Sequence, residues 1–156
     1  MSTETEIRER FWKQLSESPF LMVGLQGSRD HNLPMTAQLD PEANHSFWFY
    51  TSKDNRLAPG GPAMAQYASK DHDLFACVDG TLTPETDPAV IDRYWSKQVE
   101  AWYPQGRNDP SLLMLRFDLN TAEIWEAEMS LKGVFKMMFG GDVRSEMKGK
   151  HAEVSL

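Results

Sequence analysis

Short apolar runs, each closed by a cluster of turn residues, dominate this sequence, and they limit it to an antiparallel β architecture of short, sequentially connected strands. Residues 20–25 (FLMVGL) form the first run. Residues 26–32 are polar, contain Gly27 and turn the chain. Residues 34–39 alternate apolar and polar, and Pro34 fits only a strand start or a sheet edge because it lacks an N–H. A second turn covers 40–45, and 47–51 (FWFYT) is a strongly aromatic strand. Alternation assigns one face of that strand to the core.

The middle is less regular. Pro59, Gly60, Gly61 and Pro62 exclude a helix interior. Residues 63–68 suit a strand or a helix, and 74–78 form a strand ending at Asp79-Gly80, so a hairpin is expected over about 63–80. Residues 112–117 and 122–127 read as two more strands around 118–120, giving about seven short strands in all. Such spacing favours a small closed or partly closed barrel with helices outside it.

Three helices are expected. Thr3 and Glu6 sit at capping-box spacing, and Ile7, Phe11 and Leu15 recur every four residues, which predicts a helix over 4–16. Asp87-Pro88 is a strong start signal, and Val90, Ile91, Tyr94, Trp95, Val99 and Trp102 then mark one face of a long helix over 87–103. Trp95 and Trp102 are expected to fasten that helix to a barrel or to a second copy. Ser130 caps a last helix through Met138, ended by Gly140-Gly141, and a polar arm follows to Leu156.

At 156 residues, one domain is expected over 1–156, with a core over about 7–127 and a C-terminal helix and arm over 128–156. Sixteen Lys and Arg against 23 Asp and Glu leave a net charge of −7, which disfavours nucleic acid and anionic membrane as partners. The first twenty residues mix charges of both signs and lack a long apolar run, so no signal peptide is expected, and no stretch has the length of a membrane span. A cytoplasmic location follows as an expectation. Cys77 is the one cysteine; it excludes an intramolecular disulfide and reads as a buried, inert thiol. The four histidines stand apart, so no metal site is expected.

No phosphate loop, dinucleotide fingerprint or nucleophile elbow is present. Nothing suggests covalent or acid–base catalysis by side chains, so no catalytic residue is selected. If the protein is an enzyme, a cofactor carries the chemistry.

Three stretches taken together resemble one known group. They are residues 33–38 (LPMTAQ); residues 47–52 (FWFYTS) with Asn55-Arg56; and Tyr94-Trp95 through Trp102, Tyr103, Pro104, Gly106 and Asp109-Pro110 to residues 122–125 (AEIW). The sequence resembles the general stress proteins of the pyridoxamine 5'-phosphate oxidase-like superfamily, which have an FMN-binding split β-barrel fold. The resemblance implies a homodimer with FMN, or alternatively FAD, in a groove between two barrels. It implies that Pro34, Met35 and Thr36 line the flavin ring and that Gln38 occupies a polar position of the same strand. It assigns Tyr50 and Thr51 to the ribityl chain and phosphate, and Ser52, Asn55 and Arg56 to the phosphate. Trp125 matches an aromatic residue near the ring, offered by a neighbouring subunit or by the late strand; it reads equally well as core.

The residues agree with that phosphate assignment. Residues 51–56 (TSKDNR) supply two cations, Lys53 and Arg56, with two hydroxyls and an amide after a rigid strand, the donor set a phosphate requires. A solvated polar turn is the alternative reading. The sequence departs from the group at Leu33, where a basic residue is usual, at Leu57, where a lysine is common, and at residues 59–62, which replace an expected helix. Residues 126–131 carry no Arg or His after Trp125, unlike the oxidase proper, so pyridoxamine 5'-phosphate oxidase activity is not expected. The expectation is a flavin-dependent oxidoreductase of unknown substrate, drawing electrons from NAD(P)H or another small donor. The alternative is a non-catalytic flavin-binding or flavin-free dimeric stress protein.

Overall fold

The computed structural model describes residues 3–43, 45–126 and 151–156. The elements in chain order are α1 (Glu4–Glu17), β1 (Phe20–Leu25), β2 (Leu33–Thr36), β3 (Ser46–Ser52), β4 (Gly61–Ala68), β5 (Leu74–Pro84), α2 (Pro88–Arg93), α3 (Lys97–Glu100), a 3-10 turn (Gly106–Asn108), β6 (Leu112–Glu126) and β7 (His151–Ser155). The strands form one seven-stranded sheet in the order β2-β1-β4-β5-β6-β3, with β7 also on β6, and every pairing is antiparallel. The sheet curls until its two edges touch. There Gln38 N–H donates to the Trp48 carbonyl (2.7 Å) and Trp48 N–H to the Gln38 carbonyl (3.1 Å). This is a split rather than a closed barrel.

β5 shifts register at Asp79/Gly80 against β6, an irregularity of the kind that bends and twists a strand. A Cβ on Gly80 would lie 2.2 Å from the Asp118 carbonyl oxygen, so only glycine permits the strands to approach this closely. α1 fills the concave side. Thr3 Oγ1 caps it by accepting from Glu6 N–H (3.1 Å), and Ile7, Phe11 and Leu15 enter the core. Phe11 meets Tyr67 edge-on at 6.1 Å, Trp12 meets Phe47, and Phe47 stacks on Phe117 at 5.2 Å.

The expected long helix over 87–103 does not form. Asp87 caps α2 through Ala89 N–H (2.9 Å), and Ser96 then starts the separate α3. The break follows from docking on the outer face of β3. Tyr94 stacks on Trp48 (5.3 Å), and Trp95 packs edge-on against Tyr50 (5.7 Å) and beside Tyr103 (5.7 Å). In one continuous helix Tyr94 and Trp95 would point about 100° apart, and both could not lie on the sheet. Asp40 holds the join, accepting from Arg93 (2.9 Å) and from the Tyr94 hydroxyl (3.0 Å). Trp102 is 83% exposed and, among the described residues, does not fasten the segment to the sheet.

Other expectations also change. The two late strands are a single β6, because Leu119 stays buried and donates its N–H to the His45 carbonyl across residues 118–120. Part of the expected arm is β7, whose Val154 is buried together with Leu156. The expected helix over 130–138 lies outside the described residues. Trp48 is buried with Phe47 and Phe49, since Tyr94 covers the outer face of β3. Cys77 is half-buried on the outer face of β5. Among the described residues, no helix is long and apolar enough to cross a membrane.

Gly80→Ala should lower the stability to denaturant unfolding by about 1–3 kcal/mol, the usual cost of forcing a group into packed backbone. An unchanged midpoint would mean that β5 and β6 do not approach closely at the bulge.

Candidate functional site

The seam between β2 and β3 gathers most of the sequence-selected residues. Continuing the register of the Gln38–Trp48 bridge would set Thr36 opposite Tyr50 and Pro34 opposite Ser52. Neither pair is made. Pro34 has no N–H to give, and β2 is committed on its other side to β1, where Leu21 faces Met35 and Met22 faces Pro34. Gln38 and Trp48 aim their N–H and C=O groups across the seam, so strand alternation aims those of Thr36, Tyr50 and Ser52 the same way. Pro34 and Thr36 expose their side chains, whereas Met35 points into the core.

A tight turn closes one end of the seam. Asn55 N–H donates to the Ser52 carbonyl (3.0 Å), and the Asn55 side-chain oxygen accepts from Leu57 N–H (2.8 Å). Leu57 is fully buried and anchors the turn, which accounts for an apolar residue at that position. Leu33 likewise packs on the core. Arg56 Nη1 donates to the His31 carbonyl (2.7 Å), joining this turn to the loop that precedes β2. The Ser52 hydroxyl donates to Asp54. That leaves the Asn55 amide nitrogen, the remaining Arg56 N–H groups and the open strand-edge amides as donors for an anion.

The other selected residues are turned elsewhere. The Tyr50 hydroxyl donates to the Ile91 carbonyl, and burial raises its pKa. Thr51 points inward, and its carbonyl accepts from the Tyr103 hydroxyl (2.5 Å). Burial pushes the Tyr103 phenol up to about 12. Lys53 opens on a separate cavity of about 400 Å³, shared with Arg107, Asn108, Glu85 and Asp109. Sequence reading did not select Arg107, because nothing local marks a lone arginine in an irregular segment. Its Nε pairs with Asp92 (2.5 Å). The hydroxyl and N–H of Ser111 and the N–H of Gln105 hold the Asp109 carboxyl below its ordinary value.

Trp125 is remote. It faces Phe75 on β5 and His151 on β7, thirteen positions beyond Leu112, the partner of Ser52. Along β6 that is far from Ser52, but across the sheet the pairings Trp125–Phe75, Phe75–Ala68 and Phe20–Thr36 put Trp125 four strands from Thr36, roughly 19 Å at about 4.8 Å per strand. Trp125 belongs instead to the outer face of the sheet, where Phe20 (60%), Met22 (43%) and Phe75 (37%) are also exposed.

The model of the family described as "Pyridoxamine 5'-phosphate oxidase like" matches residues 6–148. The chain belongs to the pyridoxamine 5'-phosphate oxidase-like family. It is 45% identical to a solved general stress FMN/FAD binding protein from Xanthomonas citri, covering 81% of this chain and 93% of that one, with a TM-score of 0.74. It is 43% identical to a protein of Xanthomonas campestris pv. campestris assigned to the general stress family, covering 84% and 94%, with a TM-score of 0.76. A protein from Jannaschia sp. CCS1 assigned as general stress protein 26 is 26% identical over 99% of this chain and 100% of that one, with a TM-score of 0.78. No curated relative matches.

The Tyr103 phenol predicts an alkaline transition. Its pKa is raised from 10 to about 12, so the stability it confers is complete below pH 10 and is lost as the pH rises through about 12. Tryptophan fluorescence, sensitive to Trp95 beside Tyr103, should change across that window and should change less in Tyr103→Phe. Identical profiles for the two proteins would contradict the docking.

Proposed function

We propose that the protein is an FMN-dependent oxidoreductase that holds its flavin in the β2–β3 seam, against a second copy of the chain. The observation that carries this reading is the seam itself: an unpaired strand edge with exposed Pro34 and Thr36, closed at one end by the Arg56 turn. In this reading Pro34, Thr36 and the backbone of Met35 line the ring. Gln38 fixes the strand beside it. Asn55, Arg56 and Ser52 take the phosphate, with Lys53, next in the chain to Ser52, adding positive charge at longer range. Tyr50 and Thr51 shape the strand end through their backbone, since their side chains are engaged elsewhere. The turn provides donors for one phosphate, which favours FMN over FAD.

The bound flavin would supply the electron transfer, and the chain would supply binding, orientation and shielding from water. A second copy is part of the proposal because Trp125 lies four strands across the sheet from Thr36 and does not reach the seam of its own protomer. Phe20, Met22, Phe75 and Trp125 give the outer sheet face the apolar character of an association surface. The electron donor is proposed to be NAD(P)H or another small molecule. Pyridoxamine 5'-phosphate is not the proposed substrate: the residue after Trp125 is Glu126, buried and ion-paired with Arg10, where a phosphate substrate would need cations.

A second reading, flavin binding without turnover, is favoured by the hydroxyls of the seam. Both Tyr50 and Ser52 donate to protein acceptors, and the remaining seam hydroxyl among the described residues, that of exposed Thr36, is a weak acid and a weak base. Reduction of bound flavin by NAD(P)H, followed by reoxidation with an acceptor, separates the two readings.

Arg56→Ala should weaken FMN binding by about 1.5–3 kcal/mol, the worth of one charge-assisted contact, and leave riboflavin binding nearly unchanged. Equal losses for both flavins, or no loss for FMN, would remove Arg56 from the phosphate.

A further inference from the structure

Arg56 is the arginine of the turn that closes the seam, and its side chain is exposed. An exposed arginine has many rotamers and loses that freedom when it grips an anion. One contact from another loop restrains it beforehand: Nη1 donates to the His31 carbonyl (2.7 Å). With Nη1 held there, Nε and Nη2 are left as the pair that can form two parallel bonds to phosphate oxygens. The direction of the His31 carbonyl therefore sets the direction of the fork.

That carbonyl shares a planar peptide unit with the Asn32 N–H, so whatever holds Asn32 also aims the carbonyl. Val23 pairs with Leu33, which sets Asn32 opposite Gly24 at the open end of the β1–β2 pairing. The Asn32 carboxamide lies directly over the Gly24 backbone: a Cβ on Gly24 would be 1.9 Å from Asn32 Oδ1 and 2.7 Å from its Cγ. From there Asn32 Nδ2 donates to Gln66 Oε1 on β4 (2.5 Å). Glycine in a strand interior normally weakens the strand, and this close approach accounts for it at position 24.

The strand order fixes which way this tie runs. β1 lies between β2 and β4, so the Asn32 side chain reaches across β1, away from the edge of β2 that faces β3. Asn32 is thus a tie for the loop and not itself a donor to an anion in the seam. The preceding residues supply no comparable anchor: Ser28 N–H donates to the Leu25 carbonyl (3.3 Å), and Ser28 Oγ accepts from Asp30 N–H (3.0 Å), bonds that stay within the loop and its own strand. Among the described residues, the bond to Gln66 is the side-chain tie that joins residues 28–32 to the body of the sheet.

We propose that Asn32 is a positioning residue for the phosphate end of the seam: tied to Gln66 over Gly24, it fixes the His31 carbonyl that aims Arg56. Its effect on flavin rests on the FMN reading above. In the full chain, Asn32→Ala should weaken FMN binding about fivefold and change riboflavin binding by less than about twofold. In an Arg56→Ala background the same substitution should cost FMN nothing, because Asn32 acts through Arg56. Gly24→Ala, which displaces the carboxamide without removing it, should reproduce the selective loss. In the flavin-free protein, the Arg56 Nε–H resonance, assigned by its absence from Arg56→Ala, should shift in Asn32→Ala. Unchanged FMN affinity in Asn32→Ala, an equal loss for riboflavin, the same loss with and without Arg56, or an unmoved Arg56 resonance would each overturn the proposal. A wild-type chain that binds no FMN would instead contradict the FMN reading, and the Arg56 resonance would then decide by itself whether Asn32 positions that side chain.

Discussion

One backbone bridge, Gln38 to Trp48, organises this molecule. It joins the two edges of a long antiparallel sheet and so turns a ribbon into a barrel. Because it is a single bridge, the edges meet there and part again. On one side the parting strands leave the seam with its unpaired amides. On the other, the chain leaves β2 to form one wall of a cavity beneath α1.

The partial closure has causes in particular residues. Pro34 cannot donate to β3, and Met35 is drawn into the core on the β1 side, so β2 cannot extend the bridge into a ladder. On the opposite edge, Trp48 and Tyr50 are held by Tyr94 and Trp95, which fixes the outer face of β3. The aromatic layer covers the outer face of β3 and leaves its edge unpaired beyond the bridge. It also explains why a segment rich in helix signals breaks into two short helices.

Much of this was legible in the sequence. The period-four face of Ile7, Phe11 and Leu15, the capping Thr3 and the edge-favouring Pro34 act locally, and each appears where local chemistry puts it. The long helix was misread because Val90 to Trp102 satisfies helical periodicity, whereas the break depends on contacts with a strand some forty residues earlier. β6 was divided because Asp118 and Asn120 look like turn residues; Asp118 is satisfied instead by Ser46 and Arg116. β7 carries too little apolar sequence to announce itself. Within the site, the Arg56 turn was legible as a run of donors. The diversion of Lys53 toward Arg107, and the tie from Asn32 to Gln66, depend on how distant segments pack.

The proposed activity depends on flavin occupying the β2–β3 seam. The most direct measurement is the visible absorption spectrum of the purified full chain after addition of FMN and removal of unbound ligand. A retained flavin spectrum, altered in shape from free FMN by the ordered surroundings of the seam, is the expected result. A colourless protein that never retains added FMN would contradict the account and leave the seam as a feature of a flavin-free association module.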